Sequence, residues 1–142
     1  MEMNLYTDGS CPSNPGPGGW AVIVVENGDV TQQLSGFSAQ TTNNIMEMTA
    51  VIEAIRWMPA GSRFQVISDS EYVVKGINAW MGSWAKKGWS KKGGIKNLEL
   101  WQLLYTIVEP DRMTFTHVKG HNGDTFNEMA DELCGKEARS FA

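Results

Sequence analysis

Acidic residues recur in this chain where strands and helices are expected to meet. Asp8 follows Leu5-Tyr6-Thr7, a β-prone run with no breaker before Gly9, so its carboxylate falls where a first strand should stop. Asp69 repeats the arrangement after the apolar run ending at Ser68. Ligand sites in open sheets with parallel strands gather at strand ends, and an acid half-buried there is costly unless a cation or a donor is near. Glu47 lies one turn into an expected helix, Asn127, Glu128 and Asp131 share a face of the last one, and His121 sits in a loop bracketed by Gly120 and Gly123. Each also has a plain structural explanation. Asp8-Gly9-Ser10 is turn chemistry, Glu47 suits a helix N-terminus electrostatically, and Asp69 is a good N-cap. The last acids read equally as a solvated face, and His121 as a surface residue. Taken singly, these residues leave both readings open.

The elements that must position them follow from periodicity and turn chemistry. Met3 to Thr7 is a first strand, and Cys11 to Gly19 a rigid loop without the Gly-Lys-Ser/Thr of a phosphate loop. Trp20 to Glu26 and Thr31 to Phe37 are strands joined by Asn27-Gly28-Asp29, a hairpin turn, so the chain opens with an antiparallel meander. Thr41-Thr42-Asn43-Asn44 supplies caps for a helix from about Ile45 to Trp57, with Met48, Val51, Ile52 and Ile55 as its apolar stripe. Arg63 to Ser68 is a fourth strand. Ser70 to Lys87 reads as helix interrupted at Gly76 and Gly82, and Asn97 to Val108 as another. Met113 to Val118 is the last strand and Asn127 to Arg139 the final helix, with Met129 and Leu133 turned towards the core.

A length of 142 residues fits one domain spanning 1–142. No apolar run approaches a membrane span and no signal peptide precedes Leu5, so a cytoplasmic protein without a membrane partner is expected. Cys11 and Cys134 stand far apart with no CxxC, which fits reduced thiols better than a disulfide or zinc framework. The net charge is −4, yet Lys75, Lys86, Lys87, Lys91, Lys92 and Lys96 fall in a segment with no acid before Glu99. One basic patch on an acidic body suits local nucleic-acid contact. Trp80, Trp84 and Trp89 interleave with those lysines, and Gly88, Gly93 and Gly94 break the segment. A projecting basic handle at about 80–97 is expected, lysines meeting phosphates and indoles packing on sugars or bases.

Taken in order, the motifs resemble type 1 ribonucleases H, the bacterial members in particular. They are Thr7-Asp8-Gly9-Ser10 with Asn14-Pro-Gly-Pro-Gly-Gly19, then Thr41-Thr42-Asn43-Asn44-Ile45-Met46-Glu47, then Ser68-Asp69-Ser70 with Tyr72-Val73. Val118-Lys119-Gly120-His121 follows, with Asn127-Glu128 and Asp131-Glu132-Leu133, while Trp84 to Trp89 and Lys96-Asn97 resemble the family's basic protrusion. The resemblance implies an α/β fold with a five-stranded mixed sheet and helices on both faces. It also implies a monomeric, metal-dependent endonuclease that cuts the RNA strand of RNA–DNA hybrids, leaving 5′-phosphate and 3′-hydroxyl ends. By the same resemblance, Asp8, Glu47, Asp69 and Asp131 are the metal-binding carboxylates and His121 assists turnover. Asn14, Asn43 and the main chain near Cys11 match positions that sense 2′-hydroxyls. Thr42, Asn97 and Trp80 match positions on the DNA strand, with Trp84, Lys86 and Lys87 in the protrusion.

The chemistry agrees with those residue types. Two divalent cations can activate a water and stabilise charge on the leaving oxygen. Four carboxylates without a Cys/His cluster suit two Mg²⁺ ions, with Mn²⁺ as a substitute, better than zinc. Asp8 is expected to bridge both ions, Glu47 and Asp69 to hold one, and Asp131 the other. Gln40 and Ile45 are neutral where relatives often carry arginine, so DNA-phosphate affinity is expected to be lower. Glu71 stands where a neutral amide is common and is expected to place another negative charge beside Asp69. Two other readings compete: a DNA-cutting resolvase or integrase-like nuclease of the same superfold, which has no need to sense ribose, and a non-catalytic hybrid-binding module. The second would keep clustered acids without a cation, at an electrostatic cost.

Overall fold

The computed structural model describes residues 2–120 and 124–140. In chain order the elements are β1 (Met3–Ser10), β2 (Gly16–Glu26), β3 (Asp29–Thr41), α1 (Asn43–Trp57), β4 (Phe64–Ser68) and α2 (Glu71–Lys75). A π-helical turn (Gly76–Trp80), α3 (Met81–Lys86), α4 (Leu98–Ile107), β5 (Met113–His117) and α5 (Thr125–Ser140) complete them. The five strands form one mixed sheet in the order β3-β2-β1-β4-β5. β1 pairs antiparallel with β2 and β2 with β3, whereas β1–β4 and β4–β5 are parallel.

Strand alternation divides the core between the two faces. Leu5, Val22, Val24 and Val66 pack on one face with Met48, Val51 and Ile55 of α1 and with Trp101 and Leu104 of α4. Ile23 and Val25 point the other way, towards Ala130 of α5, with Tyr6, Phe126, Met129 and Leu133 around them. Helices therefore cover both faces, as the resemblance implies.

The meander is longer than its sequence suggests. Gly9 and Ser10 stay in register with Trp20 and Gly19, so β1 runs past Asp8. Gly16 pairs with Thr41, which lengthens β2 backwards and β3 forwards and shortens the expected loop. Glycine and proline lower strand propensity, but here the neighbouring strands hold the backbone extended.

The expected interruption at Gly76 takes the form of a change from α2 to the π-helical turn with no gap in the helical backbone, whereas Gly82 lies inside α3. Gly76 has a packing reason. A Cβ on it would lie 1.9 Å from Cη2 of the fully buried Trp101, so only glycine lets the indole pass. At the open side of β5, Asn78 of the π-helical turn donates from Nδ2 to the Phe115 carbonyl at 3.0 Å.

Candidate active site

Two carboxylates leave the sheet side by side. The parallel ladder between β1 and β4 ends at Thr7 and Ser68, so Asp8 and Asp69 each follow the last paired residue of adjacent strands. Asp8 is thus not at the end of its strand, as expected; it is still paired with Ala21 on its other side. The splitting of the sheet at this point, rather than the end of β1, opens space beside it.

Glu47 reaches the same space from α1. A Cβ on Gly9 would lie 2.4 Å from the Glu47 backbone nitrogen, so the missing side chain lets the first turn of α1 rest on β1. Carboxylate oxygens of Asp8, Glu47 and Asp69 come within 4.8 Å of one another. The opposite face contributes α5. Gly19 has the corresponding part there, since its Cβ would meet the Cys134 carbonyl at 2.4 Å. Asp131 and Cys134 of α5 bring a carboxylate oxygen and a sulfur into a second group with Asp8, again within 4.8 Å. Asp8 belongs to both groups.

The electrostatics are those of carboxylates buried close to one another. Asp8 is only 3% exposed, and its carboxyl is pushed up to about 8, by burial first and then by Asp69 and Asp131, against a lowering contribution from the Gly9 N–H. Glu47 is also raised well above the usual carboxylate range, by burial and then by Asp8 and Asp69. Burial, then the neighbouring carboxylates, push the Cys134 thiol up as well. Asp8 Oδ2 and Glu47 Oε1 are buried, and among the described residues no N–H or hydroxyl group donates to either; only neighbouring carboxyls, Asp131 beside Asp8 and Asp8 beside Glu47, are in reach. Buried oxygens without donors are normally avoided, whereas a hard divalent cation takes oxygen ligands of this kind. The donor set therefore fits a divalent metal.

Beside this pocket, the 11–15 loop is tied to the start of α1. The Cys11 N–H donates to Asn43 Oδ1 at 2.6 Å, and the Asn43 N–H donates to Asn14 Oδ1 at 2.9 Å. Thr42 is the N-cap, its hydroxyl accepting from the Ile45 N–H. With Oδ1 engaged, each asparagine keeps an amide NH2 for another acceptor, and both residues are exposed.

A sequence model of the RNase H family matches residues 1–139. The ribonuclease H of Cupriavidus pinatubonensis is 46% identical over 144 residues, covering all of this chain and 99% of that protein. The ribonuclease H of Neorickettsia sennetsu is also 46% identical, over 99% of this chain and 95% of its own length. Among solved structures, LC9-RNase H1, a type 1 RNase H, superposes with a TM-score of 0.82 at 35% identity, over 99% of this chain and 73% of that one. The chain belongs to the ribonuclease H family.

Within this ribonuclease H, the segment expected to project as a handle divides by residue type. Lys86, Lys87, Lys91, Lys92 and Lys96 are exposed. The tryptophans instead turn inwards. Trp84 packs at the edge of the core, 5.7 Å from Trp101 and 6.0 Å from Trp80, and Trp89 stands edge-on to Tyr105. Trp84 thus contributes to packing, since burying indole surface is favourable, while Trp80 is half-buried between the Tyr72 and Trp84 rings. Asn97, left-handed at φ 59°, caps α4 and donates from Nδ2 to the Tyr72 hydroxyl at 3.2 Å; Trp101 Nε1 donates to the same oxygen. Trp80 stands edge-on to that Tyr72 ring.

Other expectations meet a different local chemistry. Glu71 is exposed and ion-paired with Lys75 one turn on, which lowers its carboxyl below the usual range; its charge is met there instead of adding to Asp69. On α5, where residues three and four apart share a face, Asn127 is buried, Asp131 half-buried and Glu128 exposed. His121 lies outside the described residues, although Gly120, which precedes it, approaches Asp69: its Cβ would lie 3.0 Å from Oδ2. Cys134 is a further residue of the site beyond those expected from the sequence. Its spacing of three from Asp131 is a helical-face relationship and is the sequence signal that pointed to it.

Proposed function

We propose that this chain hydrolyses the RNA strand of RNA–DNA hybrids to 5′-phosphate and 3′-hydroxyl products, using Mg²⁺ or, in its place, Mn²⁺. The observation that carries the reading is the sharing of Asp8 between Glu47 and Asp69 on one side and Asp131 on the other. Two divalent ions bound to such a set would activate a water and offset charge on the leaving oxygen. The chain's own part is to hold that set rigid. Asp8 and Asp69 are fixed by the sheet, Glu47 by the contact of α1 with Gly9, and Asp131 by α5 on the other face. His121 would assist proton movement or product departure.

Selectivity would come from the asparagine network. The amide groups of Asn14 and Asn43, with the main chain at Cys11, offer polar contacts to a ribose 2′-hydroxyl, the group that marks RNA. Thr42, Asn97 and Trp80 would line the path of the DNA strand, with Lys86 and Lys87 meeting its phosphates from the segment at 80–97. Trp84 would support that segment from beneath. Binding is then salt-sensitive and largely independent of base sequence. We read residues 1–142 as one catalytic unit, monomeric and cytoplasmic. Two free, buried cysteines and the lack, among the described residues, of a helix long and apolar enough to cross a membrane support the last point.

The test is incubation with Mg²⁺ and labelled RNA–DNA hybrid, duplex DNA or single-stranded RNA. Cleavage confined to the RNA of the hybrid is expected. Cutting of duplex DNA would favour a resolvase-like nuclease, and tight hybrid binding without cutting would leave only a binding module.

A further inference from the structure

We infer that Asp8, Asp131 and Cys134 form a site for one thiophilic divalent ion, Zn²⁺ or Cd²⁺, whose binding blocks the Mg²⁺-supported reaction. This rests on reading Asp8 and Asp131 as metal ligands. Two observations carry it. The Cys134 sulfur lies within 4.8 Å of carboxylate oxygens of both aspartates. In addition, Asp8 is only 3% exposed, and its buried Oδ2 receives no N–H or hydroxyl donor among the described residues. A tetrahedral zinc with bonds of about 2.0–2.3 Å spaces its ligands by roughly 3.5 Å, so small side-chain adjustments close the site. The thiol now donates to the Asp131 carbonyl at 3.3 Å. On ligation the S–H bond breaks, the proton passes to solvent, and the sulfur lone pair takes the metal.

Thiolate ligands favour Zn²⁺ and Cd²⁺ over Mg²⁺, which prefers oxygen and retains water. Because Asp8 belongs to both acid groups, an ion drawn towards Cys134 engages the carboxylate that links them. Inhibition is therefore competitive with Mg²⁺.

The experiment titrates the full chain with CdCl2 and follows the ultraviolet thiolate-to-cadmium charge-transfer band. One equivalent should saturate the band in the wild-type protein and in Cys11→Ala, millimolar Mg²⁺ should weaken it, and Cys134→Ala should lack it. In hybrid cleavage, each protein normalised to its own Mg²⁺ rate, Cys134→Ala should need roughly 100-fold more Zn²⁺ for half inhibition, since even outer-shell partners are worth about 10–100-fold in metal affinity. A missing band in folded wild-type protein, or a band that survives Cys134→Ala, overturns the inference. Neither result depends on hybrid cleavage, whose failure in Mg²⁺ alone would count against the proposed function and leave the band to be judged separately.

Discussion

Gly9 and Glu47 meet backbone to backbone: a methyl group on Gly9 would sit 2.4 Å from the Glu47 nitrogen and 2.4 Å from the Met46 carbonyl carbon. No side-chain rotation relieves contacts of that kind, so Gly9→Ala must lift the first turn of α1 from the sheet. Overpacking of this sort costs about 1–3 kcal/mol, and a displacement of about 1 Å at a reacting centre can cost 10²-fold in rate. Urea denaturation and hybrid cleavage should show both losses in the same variant. Wild-type turnover would mean that the position of Glu47 is immaterial.

Asp69→Asn should abolish detectable cleavage, a fall of at least roughly 10²-fold, the scale of losing one electrostatic contact to a reacting group. The fold should stay intact, with the carboxyls of Asp8 and Glu47 raised less strongly, because Asp69 is one cause of both shifts. Rates and melting temperatures measured on one preparation test this. Near-normal turnover would remove Asp69 from the metal site.

Metal-free stability should depend on pH with an unusual sign. An Asp8 in the unfolded chain ionises near the ordinary 3.8, whereas in the folded chain it keeps its proton up to about 8. Between those values the folded state binds more protons, so stability falls as pH rises; Glu47 acts in the same direction. Thermal melts in EDTA should drop by several degrees between about pH 5 and pH 8.5, and Mg²⁺ or Mn²⁺ should restore them by mass action, most strongly at the higher pH. A flat pH profile in EDTA would contradict the crowding of these carboxylates.

Lys86→Ala with Lys87→Ala should raise KM for hybrid while leaving kcat close to wild type. If each lysine neutralises one phosphate, the slope of log affinity against log salt should flatten by about 1.4–1.8. Fluorescence anisotropy in Ca²⁺, at several salt concentrations, would measure it. An unchanged slope would place the substrate elsewhere.

The sequence carried the existence and order of all five strands, because alternation, hairpin chemistry and strand-length apolar runs are local signals. Strand ends were less legible. Gly9, Gly16 and Gly18 look like loop residues until Trp20, Thr41 and Ser38 are placed opposite their segments, and that pairing is not a local property. The same limit applies within helices. Gly76 reads as a breaker, yet its role is set by Trp101, twenty-five residues later. The site acids were legible one by one as residues near element boundaries, but their meeting depends on Gly9 and Gly19 admitting α1 and α5 from opposite faces. Cys134 is not legible as a site residue, because a lone cysteine on a helix resembles any small core residue until Asp8 stands across from it.

The Tyr72 hydroxyl receives hydrogen bonds from Asn97 and from Trp101, and its ring stands against Trp80. One phenol thereby fastens both ends of the lysine-bearing segment to the protein body. A polyanion arriving there meets a cantilever whose bearing was set when the chain folded, and little ordering is left for the encounter itself.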